Sequence, residues 1–345
     1  MSDRRLRPGD VVEVRAPAEI LATLDGEASV DAMPFMPEML QYAGKRFRVS
    51  SRVEKICDTV SGEAPRSLRM QDTVLLDDLR CEGSAHGGCQ AGCRLYWKEE
   101  WLRRVDPASA SDGSESGDDH ADALARLEAL AREATVAAHG ADGTSVETYR
   151  CQATEALRAS EPLKSYDVRQ YVRELTSGNV GMLRLLRVAW RAISTALRRR
   201  LRLIGRLPLR HQEGPVPPKG ELNLQSGDLV EVRSPEEIAP SIDETGRTRG
   251  LWFDSEMIPY CGGRYRVKDR VERLIDERTG EMIEISSDCL ILDGVVCGGE
   301  CSTGRWLCPR AIYPYWREAW LRRVDGGDAA VNGGSSAEST RHATR

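Results

Sequence analysis

The residues most able to do chemistry in this chain are cysteines that cluster with a histidine. Cys81, Cys89 and Cys93 fall with His86 in one glycine-rich stretch, CEGSAHGGCQAGC (81–93). Thiolates and an imidazole a few residues apart can occupy the tetrahedral positions that zinc requires, and glycines let the backbone turn around an ion. The spacing therefore predicts a metal site in this stretch.

The other cysteines extend the set of candidate ligands. Cys57 would join the first site if the fold brings it near, and a second site could form from Cys289, Cys297, Cys301 and Cys308. These spacings differ from the CxxC pairs of common zinc ribbons. Buried or free thiols, one disulfide in each half of the chain, or an iron–sulfur cluster are the alternatives to zinc.

The expected role of the metal is structural. A site whose coordination positions are all filled by protein cannot activate water, so we expect zinc as a structural cofactor and no catalytic residue. A zinc hydrolase with an open position at His86, or a thiol catalyst using Cys89 or Cys93, is the competing interpretation. The other four histidines lie in predicted linkers, helix ends or the tail, and the chain lacks a Walker phosphate loop and a dinucleotide-binding GxGxxG motif.

These candidate ligands lie in two copies of one module. GDVVEVRAPAEI (9–20) reappears as GDLVEVRSPEEI (227–238), and LYWKEEWLRRVD (95–106) reappears as PYWREAWLRRVD (314–325). Aligning the copies from both ends matches Cys81 with Cys297 and Cys89 with Cys308, while the remaining cysteines differ between the copies. The chain is therefore organised as module, insert, module.

The pattern within each module predicts short strands. Apolar positions alternate in runs such as VVEVR and RFRVSSRVEKI, and Gly, Asp, Pro or Ser separate the runs. The opening GDxVxV with a later RV strand resembles SH3-like barrels, and the cysteines followed by YWKEEWLRRV are similar to an uncharacterised bacterial family. The resemblance implies two tandem SH3-like small barrels and no particular activity. The expected fold is mainly β with a helical insert (α+β).

Composition sets the expected domain boundaries. The stretch PASASDGSESGDDHA is poor in apolar residues, and HQEGPVPPKGE is rich in proline and glycine, so both should be linkers. Helices are expected over 121–138, 146–160 and 168–178. The predicted organisation is an SH3-like Cys-rich module 1 (1–106), a disordered linker (107–120), a helical insert (121–210), a Pro/Gly linker (211–224), module 2 (225–325) and a disordered tail (326–345).

The insert ends in an amphipathic stretch, MLRLLRVAWRAISTALRRRLRLIGR (182–206). At helical spacing its large apolar residues share one face, while five arginines cluster opposite: Arg184, Arg187, Arg191, Arg198 and Arg202. Such a helix could lie on an anionic membrane or bind an acidic partner. Alternatively, the apolar face packs on neighbouring helices and the arginines are simply solvated.

Each module ends in a tryptophan pair. Trp97 with Trp101, and Trp316 with Trp320, are spaced i,i+4, which predicts that each pair lies on one face of a helical turn. We expect these indoles to cap the module core, and a ligand-stacking platform is the alternative.

Charge and hydropathy limit the possible partners. The net charge is −5, and neither module shows a basic stripe with interleaved aromatics, which argues against a nucleic-acid partner. No run of 18 apolar residues and no signal peptide is apparent, so we expect a cytoplasmic protein. If it associates with a membrane, we expect it to lie at the membrane surface and not to span the bilayer. Two similar modules suit bivalent recognition of a protein partner, so a non-enzymatic metal-binding scaffold or adaptor is the expected function.

Overall fold

The computed structural model describes residues 5–61, 67–106, 117–139, 146–164, 167–201, 208–212, 214, 220–302 and 305–324. Residues 107–116 of the first predicted linker, residues 213 and 215–219 of the second, and the predicted tail lie outside these ranges, as does Arg202. Residues 117–120, which we expected to belong to the first linker, are helical.

The chain divides into two compact units that interleave along the sequence. The first unit comprises Met1–Thr195 together with Arg273–Glu284 and Gly298–Ile312. The second comprises Ala196–Glu272, Ile285–Cys297 and Tyr313–Arg345. Two short segments from the second sequence repeat therefore belong to the first unit.

Short strands are the main regular elements of the described chain. The strands are β1 (Val11–Val14), β2 (Ser29–Val30), β3 (Met33–Pro34), β4 (Arg46–Arg52), β5 (Ile56–Cys57), β6 (Ser67–Arg69), β7 (Thr73–Arg80), β8 (Arg94–Lys98), β9 (Leu102–Arg104), β10 (Val136–His139), β11 (Val146–Tyr149), β12 (Glu161–Leu163), β13 (Leu229–Val232), β14 (Arg247–Thr248), β15 (Leu251–Trp252), β16 (Arg264–Arg270), β17 (Arg273–Ile275), β18 (Met282–Glu284), β19 (Leu290–Leu292) and β20 (Leu321–Arg323). The α-helices are α1 (Pro17–Leu21), α2 (Gly117–Thr135), α3 (Arg169–Thr176), α4 (Met182–Arg200) and α5 (Pro235–Ile238).

Four strands occur in the same order in the sheets of the two units, and the first sheet has a fifth strand, β8, at one edge. In the first unit the order is β8-β7-β4-β1-β9, with antiparallel neighbours, and in the second it is β19-β16-β13-β20. Val12 of β1 lies opposite Phe47, and its repeat equivalent Val230 lies opposite Tyr265. The structure as a whole is mainly β with few helices and includes a sheet curled into half a barrel.

The core of each unit is built around one phenylalanine and a tryptophan pair. Phe35 meets Trp101 edge to face at 5.2 Å between ring centroids, and Phe253 meets Trp320 at the same distance. All four tryptophans of the two pairs are 0% exposed, which suits a core role and leaves no face for stacking a ligand. The expected helical turn is wrong, because Trp97 lies in β8 and Trp101 ends a three-residue 3-10 turn.

The helical insert is only partly helical. Helix α2 covers most of the predicted 121–138 segment, and α3 lies within the predicted 168–178 segment. The helix expected over 146–160 is wrong, because β11 pairs with β10 and turns follow it. Among the described residues, no helix is both long enough and apolar enough to cross a membrane.

Candidate metal centre

The 81–93 loop begins where β7 ends and returns to the sheet at β8. The Cys81 amide donates to the Cys93 carbonyl at 2.8 Å, which closes the loop at its base. At Gly83 the backbone φ is +72°, and a Cβ atom would overlap the carbonyl oxygen of Cys89. Only glycine fits this position, so the glycines that the sequence shows here do have a conformational role.

The loop directs two of its side chains toward Glu38. This glutamate lies in the 3-10 turn Pro37–Tyr42. His86 Nδ1 lies 2.7 Å from Glu38 Oε1, and the Ala85 amide donates to the same oxygen at 3.0 Å. The Cys81 thiol is 3.8 Å from it. Ligand atoms of Glu38, Cys81 and His86 all lie within 4.8 Å of one another, and no other such group of three His, Cys, Asp or Glu residues occurs in the described part of the chain.

Two polar atoms at this centre are buried without a partner among the described residues. They are Nε2 of His86 and Oε2 of Glu38. Each side chain is only 1% exposed, so water in bulk solvent does not reach these atoms. A buried polar atom that makes no hydrogen bond costs about 1–3 kcal/mol, so a ligand or an ordered water beside either atom would add a favourable contact.

The electrostatics of the centre keep Glu38 ionised and the Cys81 thiol protonated. Burial opposes ionisation of Glu38, but the hydrogen bond and the charge of His86 outweigh it and hold the pKa of Glu38 below its usual range. Burial, and then the Glu38 charge, raise the pKa of the Cys81 thiol well above its usual value. A metal ion would reverse this effect, because a coordinating thiol loses its proton to the metal.

Three predicted ligands of the first site lie away from this group. Cys57 faces Cys308, with 3.5 Å between the two sulfur atoms. The sulfur of Cys89 accepts from the Ile275 amide at 3.5 Å. Burial raises the pKa of the Cys93 thiol to about 12. The structure therefore brings Cys81 and His86 together, and Cys57, Cys89 and Cys93 are not part of that group.

The predicted second site is divided between the two units. Cys289 and Cys297 belong to the second unit, whereas Cys301 and Cys308 belong to the first. Cys301 lies 3.8 Å from a guanidinium nitrogen of Arg191.

The Cys57 and Cys308 pair is fully enclosed within the first unit. The Cys57 amide donates to the Cys308 sulfur at 3.2 Å, and the Arg310 guanidinium donates to the Cys57 carbonyl at 3.3 Å. A hydrogen bond from the Cys308 thiol and the charge of Arg310 lower the pKa of Cys57. Burial and the neighbouring Cys57 sulfur raise the pKa of Cys308. These opposite pKa shifts favour a state in which the pair carries one negative charge, with the Cys308 thiol donating a hydrogen bond to the Cys57 thiolate.

Sequence reasoning missed Glu38 as a ligand. It lies 43 residues before Cys81, so no short spacing motif connects them. The repeat carried a usable signal, because Glu38 and Glu256 occupy the same place in both copies, each within an apolar stretch and each 4% exposed. A carboxylate kept at a buried position needs a partner.

Comparison with family models, with curated proteins and with solved structures finds no match for this chain.

Proposed function

We propose that this chain is a non-enzymatic, metal-binding scaffold protein in which Glu38, Cys81 and His86 hold a structural zinc ion. The observation that carries the proposal is the convergence of one ligand atom each from Glu38, Cys81 and His86 within 4.8 Å, with the side chains of Glu38 and His86 almost fully buried. An ion bound through Nδ1 of His86 and the Glu38 carboxylate would stabilise a Cys81 thiolate, whereas Nε2 lies on the other side of the imidazole ring and would not contact that ion.

The donor set suits zinc better than the harder divalent cations. One imidazole, one thiol and one carboxylate are the three ligand types that zinc takes in proteins, whereas magnesium and calcium take oxygen ligands. Nitrogen and oxygen ligands of one tetrahedral zinc lie about 3.3 Å apart. Since Nδ1 and Oε1 are 2.7 Å apart and share a proton, the ion would replace that proton if both atoms bind it.

A structural role follows from the burial of the site. The ion would cross-link the 3-10 turn Pro37–Tyr42 to the 81–93 loop, two segments that are distant in sequence. Glu38 and His86 are closed to solvent, which keeps a substrate from any open position on the ion. The raised pKa values of Cys81 and Cys93 also disfavour these two thiols as nucleophiles, because the thiolate is the reactive form.

The scaffold role rests on the duplication. We infer that each sheet forms part of a small SH3-like barrel, since both contain four strands in the same order and the same aromatic core. Two similar surfaces suit recognition of two sites on a protein partner. An experimental structure in which either sheet remains open, with unpaired edges, would contradict the barrel assignment.

The metal centre is tested by metal analysis of the purified full-length chain and of its variants. We expect one zinc per chain in the wild type and its loss in His86→Ala and Glu38→Gln. Cobalt substitution adds a test of Cys81, because a thiolate ligand gives a near-ultraviolet charge-transfer band. That band should be absent in Cys81→Ser.

Glu256→Gln is the matched control, because Glu256 is the repeat equivalent of Glu38 in the second unit. This variant should keep its zinc and its cobalt spectrum. Chelation should lower the melting temperature of the wild type and of Glu256→Gln, and leave that of His86→Ala unchanged. A wild type without zinc, or a His86→Ala variant that keeps a full equivalent, would show that the site is not the one proposed.

A further inference from the structure

Helix α4 exposes a continuous row of large apolar side chains. Leu183 is 80% exposed and Trp190 is 71% exposed, and others on the same face are also more than half exposed: Met182, Leu186, Ile193 and Leu197. Their spacing of three, four and seven residues places them on one side of the helix. Soluble proteins rarely leave so many adjacent apolar side chains in water, and such a patch marks a binding surface.

The opposite side of the helix is anchored to the first unit. Val188 is buried and belongs to a small apolar cluster with Val180 and Leu307, against which Leu185 and Trp306 pack. The helix therefore already has its contact with the protein, and that contact uses a different face from the exposed row. The alternative in which the apolar face packs on neighbouring helices does not hold for this row, because its side chains are exposed.

The charges beside the row indicate what covers it. The sequence from 182 to 210 contains no acidic residue. Arg184 and Arg191 each pair with Glu300 at 3.2 Å and remain about half exposed. Arg187 and Arg198 are exposed and make no ion pair with any described residue. At helical spacing Arg187 and Arg198 border the apolar row. A purely apolar protein groove would leave these cations unpaired, whereas lipid phosphates would complement them.

We infer that α4 docks this protein onto an anionic lipid bilayer. The helix lies in the plane of the membrane interface, with the row around Trp190 inserted among the acyl chains. Arg187 and Arg198 extend to the lipid phosphates at the edge of the inserted face. The helix does not cross the bilayer, since it carries several arginines along its length.

Vesicle sedimentation with the full chain tests this docking. The protein should pellet with vesicles of phosphatidylcholine and phosphatidylserine in equal amounts and stay in solution with pure phosphatidylcholine. Trp190→Glu should abolish pelleting. The double variant R187Q/R198Q should bind about 25-fold more weakly, since each arginine near an anionic surface contributes about five-fold. Added salt should weaken wild-type binding for the same reason.

Ile283→Glu is the matched control, because it places the same charge at another exposed apolar residue, in β18. It should bind vesicles as the wild type does, and circular dichroism should show that every variant is folded. Equal binding to neutral vesicles, or unchanged binding by Trp190→Glu, would overturn the inference. So would a failure to bind vesicles together with a wild-type dimer that Trp190→Glu dissociates, because a second copy would then cover the row.

Discussion

Glu174 on α3 should make the stability of this protein fall as pH rises. Its side chain is 0% exposed, and it accepts one hydrogen bond, from the Asn179 amide at 2.9 Å. Its other oxygen has no partner among the described residues. Burial raises the pKa of Glu174 from 4.5 to about 8, and the positive charge of Lys55 only partly offsets this. The folded protein therefore holds a proton here at neutral pH.

The direction of the pH effect depends on whether the folded or the unfolded chain loses the Glu174 proton at lower pH. Between pH 4.5 and pH 8 the unfolded chain releases this proton and the folded chain keeps it, so unfolding becomes easier by about 1.4 kcal/mol for each pH unit. Glu174→Gln keeps the shape of the side chain without the ionisation. From pH 5.5 to pH 7.5 the variant should gain about 2 to 3 kcal/mol relative to the wild type.

Urea unfolding at several pH values, followed by tryptophan fluorescence, measures this difference. A change in stability that the new amide causes equally at every pH does not affect the result. The test is how the difference in unfolding free energy between Glu174→Gln and the wild type changes with pH. Glu133→Gln removes one exposed carboxylate from α2 and controls for the change in net charge. Parallel pH curves for the wild type and Glu174→Gln would refute the reasoning.

Three further outcomes can be checked. Trp320→Phe should cost about 1–2 kcal/mol more than Trp101→Phe in chemical unfolding, because Trp320 donates to two buried hydroxyls and the indole nitrogen of Trp101 has no partner among the described residues; equal costs would contradict this. Arg310→Met should destabilise the first unit by about 1–3 kcal/mol in the same assay, since the buried guanidinium no longer donates to the Cys57 carbonyl or pairs with the partly exposed Glu277; a smaller loss than for an exposed arginine would count against it. Oxidised glutathione should couple the thiols of Cys57 and Cys308 into a disulfide with release of two glutathione thiols, seen by mass spectrometry as loss of alkylation at both; independent alkylation of each would show that they do not pair.

Local patterns in the sequence predicted much of the fold. The repeat predicted two similar sheets, because each pair of matching strands carries the same alternation of apolar residues. The 3.6-residue period of the apolar residues predicted helix α4 and its apolar side. The structure leaves the large residues of that apolar side exposed to solvent. The tryptophan spacing misled us, since a strand followed by a three-residue 3-10 turn also returns two rings to one core.

The candidate site was harder to predict, because its contacts join distant segments. Cysteine spacing identified Cys81 and His86, which share a loop, but could not identify Glu38 on a separate turn. The pairing of Cys57 with Cys308 spans 251 residues. The alignment of the repeats matched Cys308 with Cys89 and so gave no indication of this contact. Local periodicity reports which face of an element is buried, and it does not report which distant element covers that face.

The interleaved units constrain how the chain can be made. Residues Arg273–Glu284 and Gly298–Ile312 belong to the first unit, although at least 272 residues are synthesised before the first of them. Domains usually fold from the amino terminus as they leave the ribosome. Here the sulfur of Cys57 must wait for Cys308, so the first unit reaches its final form only after the segment that ends at Ile312 has been synthesised. A nascent chain stalled in the helical insert would hold an unfinished core and would be a natural client for chaperones.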